Sequence, residues 1–367
     1  MTSLYIHIPF CEKKCFYCSF VVSVGQAQRI DAYLQALEQE AVGYKGQKVG
    51  TVYVGGGTPT FMNEPQLERL VSMIRNHFSC VGNREWTIEA NPEGMTPLKA
   101  KKLKSLGFNR VSLGVQSFDN TFLKYLGRNH DSSKAKQAFF ILREAGFANI
   151  NIDLMFSYPQ QTQKDLEKDV AEALILNSEH ISLYSLTIEE NSRFHIQKIQ
   201  PLKEERQAEL YRYVIKRLEG QGFKQYEVSN FAKPGQESQH NLHYWQGGEY
   251  IGLGIGAHSY LQSRRSWNVT RLMDYLDRME RGANPMDGFE ELTTDEKLKE
   301  RLLFGLRMNG GVNMSQLEER YRCRFPEETR TMISDFIREG FLDTEDEDIK
   351  ATDKGRLVLD ELCARLI

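Results

Sequence analysis

No run of apolar residues in this chain approaches the length of a membrane span, for which a helix needs about 20 residues. The N-terminus, Met1-Thr2-Ser3-Leu4-Tyr5-Ile6, places no basic segment ahead of an apolar one, so no signal peptide is expected. There is no internal repeat of fixed period and no low-complexity tract. An excess of one charge is also missing. Forty-seven Lys and Arg against 50 Asp and Glu leave a formal net charge of −3, and the pI is near 6.3. A general basic attraction for nucleic acid or anionic membranes is therefore excluded, and no nucleic-acid partner is expected. Cysteine is scarce, with six in 367 residues, and those six are not laid out as a disulfide framework. Three cluster near the N-terminus, and Cys80, Cys323 and Cys363 are scattered. That usage fits a reducing, cytoplasmic compartment, with the scattered three read as buried apolar side chains.

What is present is ordinary globular composition, 40% hydrophobic and 26% charged, in a chain long enough for one large domain and a small one. Short apolar runs at Leu4–Ile8, Thr51–Val54, Trp86–Ala90, Arg110–Gly114, Asn149–Leu154 and His180–Leu186 read as strands. Segments of helical periodicity lie between them, about Ile30–Tyr44, Glu64–Phe78, Thr96–Leu106, Ser133–Ala145, Gln163–Leu176 and Lys203–Gln221. Strands alternating with helices imply parallel pairing and right-handed crossovers. The expected fold is α/β, a partial TIM-like (β/α)6 barrel over residues 1–225, with a flat doubly wound sheet as the alternative. Either would gather ligands at the carboxyl ends of the strands. Residues 226–285, rich in glycine, aromatics and histidine, break the alternation. Residues 286–367 read as a small α-rich, winged-helix-like domain whose hairpin carries Glu345-Asp346-Glu347-Asp348, a sign unsuited to phosphate contacts.

Cys11, Cys15 and Cys18 follow the first strand in a C-x3-C-x2-C pattern, with Tyr17 before the last. Thiolates are soft ligands for iron–sulfur clusters or zinc. Three of them hold three corners of a cubane and leave one iron open to a small molecule. The alternative is a structural zinc with His7 as fourth ligand. One strand later, Gly55-Gly56-Gly57-Thr58-Pro59 is neither a Walker A loop nor G-x-G-x-x-G. It is either a tight turn or a place where backbone approaches a ligand. Polar residues then end successive strands: Glu89, Gln116 and Asp153. Each alone is a strand terminator, but three in successive units favour a shared site. Arg128 is either a solvated helix-end arginine or a partner for a carboxylate.

These segments, His7 through Leu154, resemble the radical S-adenosylmethionine (SAM) enzymes related to oxygen-independent coproporphyrinogen III oxidase. The resemblance implies a [4Fe–4S] cluster on Cys11, Cys15 and Cys18. It implies SAM with its amino group at Gly56, Gly57 or Thr58, its methionine end facing Glu89 and Arg128, and its ribose facing Gln116 and Asp153. One departure is Phe156-Ser157-Tyr158-Pro159, where the family has Tyr-Gly-Leu-Pro. Another is Ser19-Phe20 after Cys18, where the oxidase carries a fourth cysteine.

His240-Asn241-Leu242-His243-Tyr244-Trp245 matches the H-N-x-x-Y-W motif of the HemW-type heme chaperones, and Gly252–Ser259 continues that likeness. It implies heme as a third cofactor, with His240 as candidate ligand and Tyr244 and Trp245 offering flat apolar faces. On residue chemistry alone, a histidine among aromatics is equally a hydrogen-bonded packing residue. The implied partners are heme-acceptor proteins, membrane-associated respiratory proteins among them, and a homo-oligomer is compatible with the sequence. The rival function is the oxidase reaction, oxidative decarboxylation of porphyrinogen propionates. A zinc-stabilised interaction protein is the third reading.

Overall fold

The structure, a computed structural model, describes residues 1–82, 84–345 and 347–366. Six strands form its centre: β1 (Thr2–Ile8), β2 (Lys48–Gly56), β3 (Trp86–Ala90), β4 (Arg110–Gln116), β5 (Asn149–Phe156) and β6 (His180–Ser185). Each lies parallel to the next in the chain. Sequential parallel order with no reversal is the winding of a partial TIM barrel, and it removes the doubly wound alternative, whose strand order must switch. Helices α1 (Ile30–Val42), α2 (Glu64–His77), α3 (Pro97–Ser105), α4 (Asn120–Leu126), α5 (Ser132–Glu144), α6 (Gln163–Leu176) and α7 (Glu204–Glu219) cover the outside. Apolar residues alternate along the strands: Leu4, Ile6, Val52, Val54, Val111 and Ile152 are fully buried in the core shared with the helices, while the other face carries buried polar residues such as Thr87, Ser112, Asn151 and Ser182. Helix starts follow their caps: Asn63 with Gln66 and Thr162 with Asp165 form capping boxes. α3 and α5 stop at Gly107 and Gly146, both at positive φ.

Residues beyond 223 extend the same sheet at both ends. On the β6 side, β7 (Lys224–Glu227) and β8 (Asn230–Ala232) add antiparallel strands. On the β1 side, β9 (Tyr250–Leu253) adds a seventh parallel strand, followed by antiparallel β10 (His258–Leu261), β11 (Arg264–Asn268) and β12 (Met286–Glu291). Helices α8 (Gln239–Trp245) and α9 (Leu272–Glu280) lie in these connections. The buried Glu40 of α1 holds the β9–β10 turn. It accepts from the Gly254 amide at 2.9 Å, the Asn268 side chain at 2.6 Å and the Tyr275 hydroxyl at 2.6 Å.

The C-terminal module is helical: α10 (Thr294–Arg307), α11 (Met314–Tyr321), α12 (Glu327–Arg338), α13 (Asp353–Arg356) and α14 (Leu359–Leu366). A hairpin of Leu342–Glu345 and Asp348–Ala351 pairs with Val312–Asn313 to complete a winged-helix-like arrangement. Its core, built around Leu298, Leu302, Ile333, Phe336 and Leu362, is separate from that of the barrel. Asp346 of the acidic turn and Ile367 lie outside the described residues. Among the described residues no helix is long and apolar enough to cross a membrane.

The departure at Phe156-Ser157-Tyr158-Pro159 has a physical outcome. Ser157 adopts φ +62°, the left-handed conformation that the glycine of the usual run supplies without strain. Its amide donates to the Gln161 side chain at 2.7 Å, but its own hydroxyl is buried without a partner among the described residues. Replacing Ser157 with Gly is expected to stabilise the chain by about 1 kcal/mol, read as a higher denaturation midpoint at unchanged slope. A lowered midpoint would contradict this account of the loop.

Candidate functional site

The cysteine loop leaves the carboxyl end of β1 and is bound to the glycine turn at the end of β2. The Gly57 amide donates to the Ile8 carbonyl at 2.8 Å and the Thr58 amide to the Phe10 carbonyl at 2.9 Å. Gly56 sits at φ +113°, where a Cβ would lie 2.6 Å from the His7 ring. A Cβ on Gly57 would lie 2.8 Å from the Pro9 backbone and 2.9 Å from the Cys11 sulfur. The glycines are thus required by the close approach of the cysteine loop. With their amides committed, they offer a ligand carbonyl oxygens, which suit an ammonium. The three thiols are all partly accessible, and burial pushes that of Cys11 up to about 11. Cys11 lies 3.5 Å from the Thr58 hydroxyl, and Arg128 donates to Cys15 across 3.5 Å. His7, the fourth ligand of the zinc alternative, has both ring nitrogens engaged, with the Tyr5 hydroxyl at 3.0 Å and the Val21 carbonyl at 2.8 Å.

Glu89, near the end of β3, accepts from the Gly56 amide at 2.9 Å and from the Tyr53 hydroxyl at 2.8 Å. Burial pushes its carboxyl up to about 7, against the pull of those hydrogen bonds. Arg128 follows α4 and Gly127. It donates to the Asn91 side-chain oxygen at 2.8 Å and the Gly114 carbonyl at 2.7 Å. Its Nε is buried with no partner among the described residues, an open donor beside the cysteine loop. Arg128 is therefore an anchored group rather than a solvated helix end. Asn91 also donates to Thr58 at 3.0 Å, and so joins two site residues, Arg128 and Thr58, although the sequence offered no signal for it. Gln116 ends β4 at φ +69°, its side chain lying over Gly114. Asp153 sits earlier in β5, held by Asn151 at 2.7 Å and Ser112 at 3.1 Å, with burial raising its pKa. Cys15, Thr58, Asn91 and Glu93 share a pocket of about 230 Å³. Three soft thiols beside an unpartnered guanidinium nitrogen and carbonyl-presenting glycines fit a cluster with an amino-acid ligand.

The H-N-x-x-Y-W run is helix α8. Its N-terminus is fixed by Glu85, which accepts from the Gln239 amide at 2.9 Å and the His240 amide at 3.1 Å. His240 is 1% exposed. Its Nδ1 is 2.8 Å from the Thr51 hydroxyl and its Nε2 is 2.9 Å from the Tyr244 hydroxyl. Burial depresses its pKa to about 3, so the imidazole is neutral. The ring packs 5.1 Å from that of Tyr53, which in turn donates to Glu89. His240 thus positions Tyr244 and has no nitrogen free in this conformation. His243 turns to the Glu249 carbonyl at 2.8 Å.

Tyr244 and Trp245 do face open space. They line a cavity of about 560 Å³ walled by strands β1, β2, β3, β9 and β10, by the segment after Cys18, and by α10. That volume lies inside the usual range for small-molecule sites, roughly 300–1,000 Å³. Its walls are largely aromatic, including Tyr5, Phe20, Tyr250 and Phe304, and Gly56 and Glu89 reach it from the other site. Phe20, 64% exposed, stands where the oxidase carries its fourth-cysteine segment. His258 lines the cavity exposed, and among the described residues neither ring nitrogen has a hydrogen-bond partner. The two sites adjoin at the carboxyl ends of the strands, where the fold predicts them.

The family model for the Radical SAM superfamily matches residues 5–173, and that for the HemN C-terminal domain matches residues 292–358. The chain is 39% identical to the heme chaperone HemW of Bacillus subtilis, covering 99% of this chain and 98% of that one. It is 36% identical to the heme chaperone HemW of Lactococcus lactis, over 96% of this chain and 94% of the relative. Among solved structures it is similar to the coproporphyrinogen III oxidase HemN of Escherichia coli, a radical SAM enzyme. The two share 26% identity and a TM-score of 0.89 over all of this chain and 89% of that one.

Proposed function

Because this chain belongs to the HemW-type heme chaperone family of the radical SAM superfamily, we propose that it is a cytoplasmic protein that binds heme and delivers it to acceptor proteins, membrane-associated respiratory proteins among them. The observation that carries this reading is the aromatic cavity behind Tyr244 and Trp245, contiguous with the strand ends that bear the cysteine loop. It offers a flat apolar ligand the surface it needs. Heme binds there against Tyr244 and Trp245. Ligation by His240 requires release of Thr51 or Tyr244, whereas His258 already faces the space.

Cys11, Cys15 and Cys18 hold a [4Fe–4S] cluster, which when bound supplies an open iron and one-electron chemistry. Gly56, Gly57 and Thr58 present carbonyl oxygens to the SAM ammonium. Glu89 adds a negative charge beside it, and the open Nε of Arg128 meets the SAM carboxylate. Gln116 and Asp153 address the ribose. The oxidase alternative is disfavoured by Ser19 and Phe20 in place of the fourth-cysteine segment.

Glu89 yields a pH prediction. Its carboxyl is half protonated near pH 7, and an ammonium ligand prefers the ionised form. SAM affinity is expected to fall about tenfold per pH unit as pH drops below 7. In Glu89→Gln the affinity is expected to be about 10- to 100-fold weaker and flat across that window. Equilibrium dialysis against labelled SAM between pH 5.5 and 8.5 checks both, and a pH-independent unaltered chain would contradict the assignment.

Transfer is tested by mixing the heme-loaded chain with a heme-free respiratory cytochrome or with excess heme-free globin as a passive scavenger. Faster passage to the cytochrome is the result expected of a chaperone. Equal rates would reduce the protein to a heme binder.

A further inference from the structure

One wall of the heme cavity is a face of the C-terminal module. Lys297, Glu300, Arg301 and Phe304 all line it from α10, and their spacing of i, i+3, i+4 and i+7 puts them on one side of the helix. The charges on this face are unequally satisfied. Glu300 is paired with Arg265, which also pairs with Glu290 at 2.8 Å. Lys297 and Arg301 have no carboxylate within 4 Å among the described residues; Lys297 reaches only the Ser263 hydroxyl, at 2.9 Å.

Arg301 is the unusual member. It is only 8% exposed, it donates through Nη1 to the Trp245 carbonyl, and its Nε is buried with no partner among the described residues. Space for it depends on Gly247, at φ +63°, where a Cβ would overlap the Arg301 side chain. Burial, with Arg320 nearby, lowers the Arg301 pKa, as expected of a cation without a counter-charge. A buried arginine is costly unless paired, and here it stands beside a lysine one helical turn away, while the two carboxylates that line the cavity are engaged elsewhere, Glu300 by Arg265 and Glu89 by Tyr53 and the Gly56 amide.

We infer that Lys297 and Arg301 form a carboxylate clamp in which the C-terminal module grips the acid side chains of a tetrapyrrole while its ring lies against Tyr244 and Trp245. This rests on the heme reading above and deepens it by naming what the cavity recognises, a planar ligand with paired carboxylates. The guanidinium meets one carboxylate with fixed geometry and the ammonium meets the second as a mobile point charge. The C-terminal module is then part of the binding site, and its seating on α8 through Trp245 and Phe304, with ring centroids 5.9 Å apart, ties ligand capture to the position of the whole module.

Absorbance titrations of the reconstituted chain with three probes test the clamp: heme, heme dimethyl ester and metal-free protoporphyrin. The unaltered chain should bind the ester at least about tenfold more weakly than heme. Protoporphyrin, which keeps both acids, should bind Arg301→Gln about 10- to 100-fold more weakly than the unaltered chain, and Lys297→Gln a few-fold more weakly. The ester should lose little in either variant, and iron and sulfide contents should stay unchanged. Lys297 is half-buried, so its variant remains informative if Arg301→Gln folds poorly, and the ester comparison needs no variant. Equal affinity of the unaltered chain for heme and its ester, or full porphyrin affinity in both variants, overturns the clamp and leaves heme binding standing. No heme binding by the unaltered chain overturns both.

Discussion

Cys15→Ala is expected to abolish assembly of the iron–sulfur cluster while leaving the fold and, at first, heme binding intact. After anaerobic reconstitution the unaltered chain should carry about four iron and four sulfide per chain, and the variant less than about one of each. The separation follows from where Cys15 lies. Among the described residues its sulfur has a single side-chain partner, Arg128 at 3.5 Å, and it lines the smaller pocket with Thr58 and Asn91, not the aromatic cavity. Removing a partly exposed thiol with so few contacts costs little stability, but it removes one of three cluster anchors. Loss of heme binding together with the cluster would mean that the cluster, not the aromatic cavity, holds the heme. Full iron content would remove the cysteine assignment altogether.

His240→Ala should show the reverse pattern, with a large structural component. The imidazole is buried between the hydroxyls of Thr51 and Tyr244, and Thr51 in turn bonds Ser3 at 2.8 Å. Truncation leaves a void, takes from the Tyr244 hydroxyl its His240 partner and leaves Thr51 with Ser3, for about 2–4 kcal/mol of destabilisation. Tyr244 loses the bond that orients it in the cavity wall, so heme affinity should fall at least about tenfold while iron and sulfide stay at the unaltered level. His240→Gln, which restores a polar contact to one neighbour, should recover part of both losses. Recovery of stability and heme affinity together would assign His240 the role of positioning Tyr244. Recovery of stability without the original heme absorbance spectrum would identify it as the iron ligand. An alanine variant with unchanged stability and affinity would contradict either role.

The parts of this molecule legible in its sequence are the local ones. The cysteine loop, the glycine turn after β2 and the alternation that builds the barrel are set by residues near one another in the chain. Helix bounds from capping and periodicity lie within about two residues of those observed, and α6 coincides with its predicted span. What stayed hidden depends on distant pairing. Residues 226–285 read as a break in the pattern, yet β9 pairs with β1 across some 250 residues and closes the cavity. Helix α8 was missed because seven residues of mixed histidine, tyrosine and asparagine carry no apolar stripe; its cap Ser238 and the remote Glu85 define it. Lys297 and Arg301 carry no signal of their own in the sequence, and only the fold reveals that their side of the helix is turned toward the cavity. Arg128 was ambiguous for the same reason, and its bonds to Asn91, itself bound to Thr58, and to the Gly114 carbonyl resolve it in a way that no spacing rule anticipates.

The central claim is that a radical SAM scaffold here carries finished heme instead of oxidising a porphyrin precursor. The most direct measurement is one anaerobically reconstituted sample, titrated with heme by absorbance and then given coproporphyrinogen III, SAM and a reductant, with products followed by chromatography. The account predicts stoichiometric heme binding and no decarboxylated product. Conversion of coproporphyrinogen III without stable heme binding would contradict it, and would make the chain an oxidase that works with Ser19 and Phe20 in place of the fourth-cysteine segment.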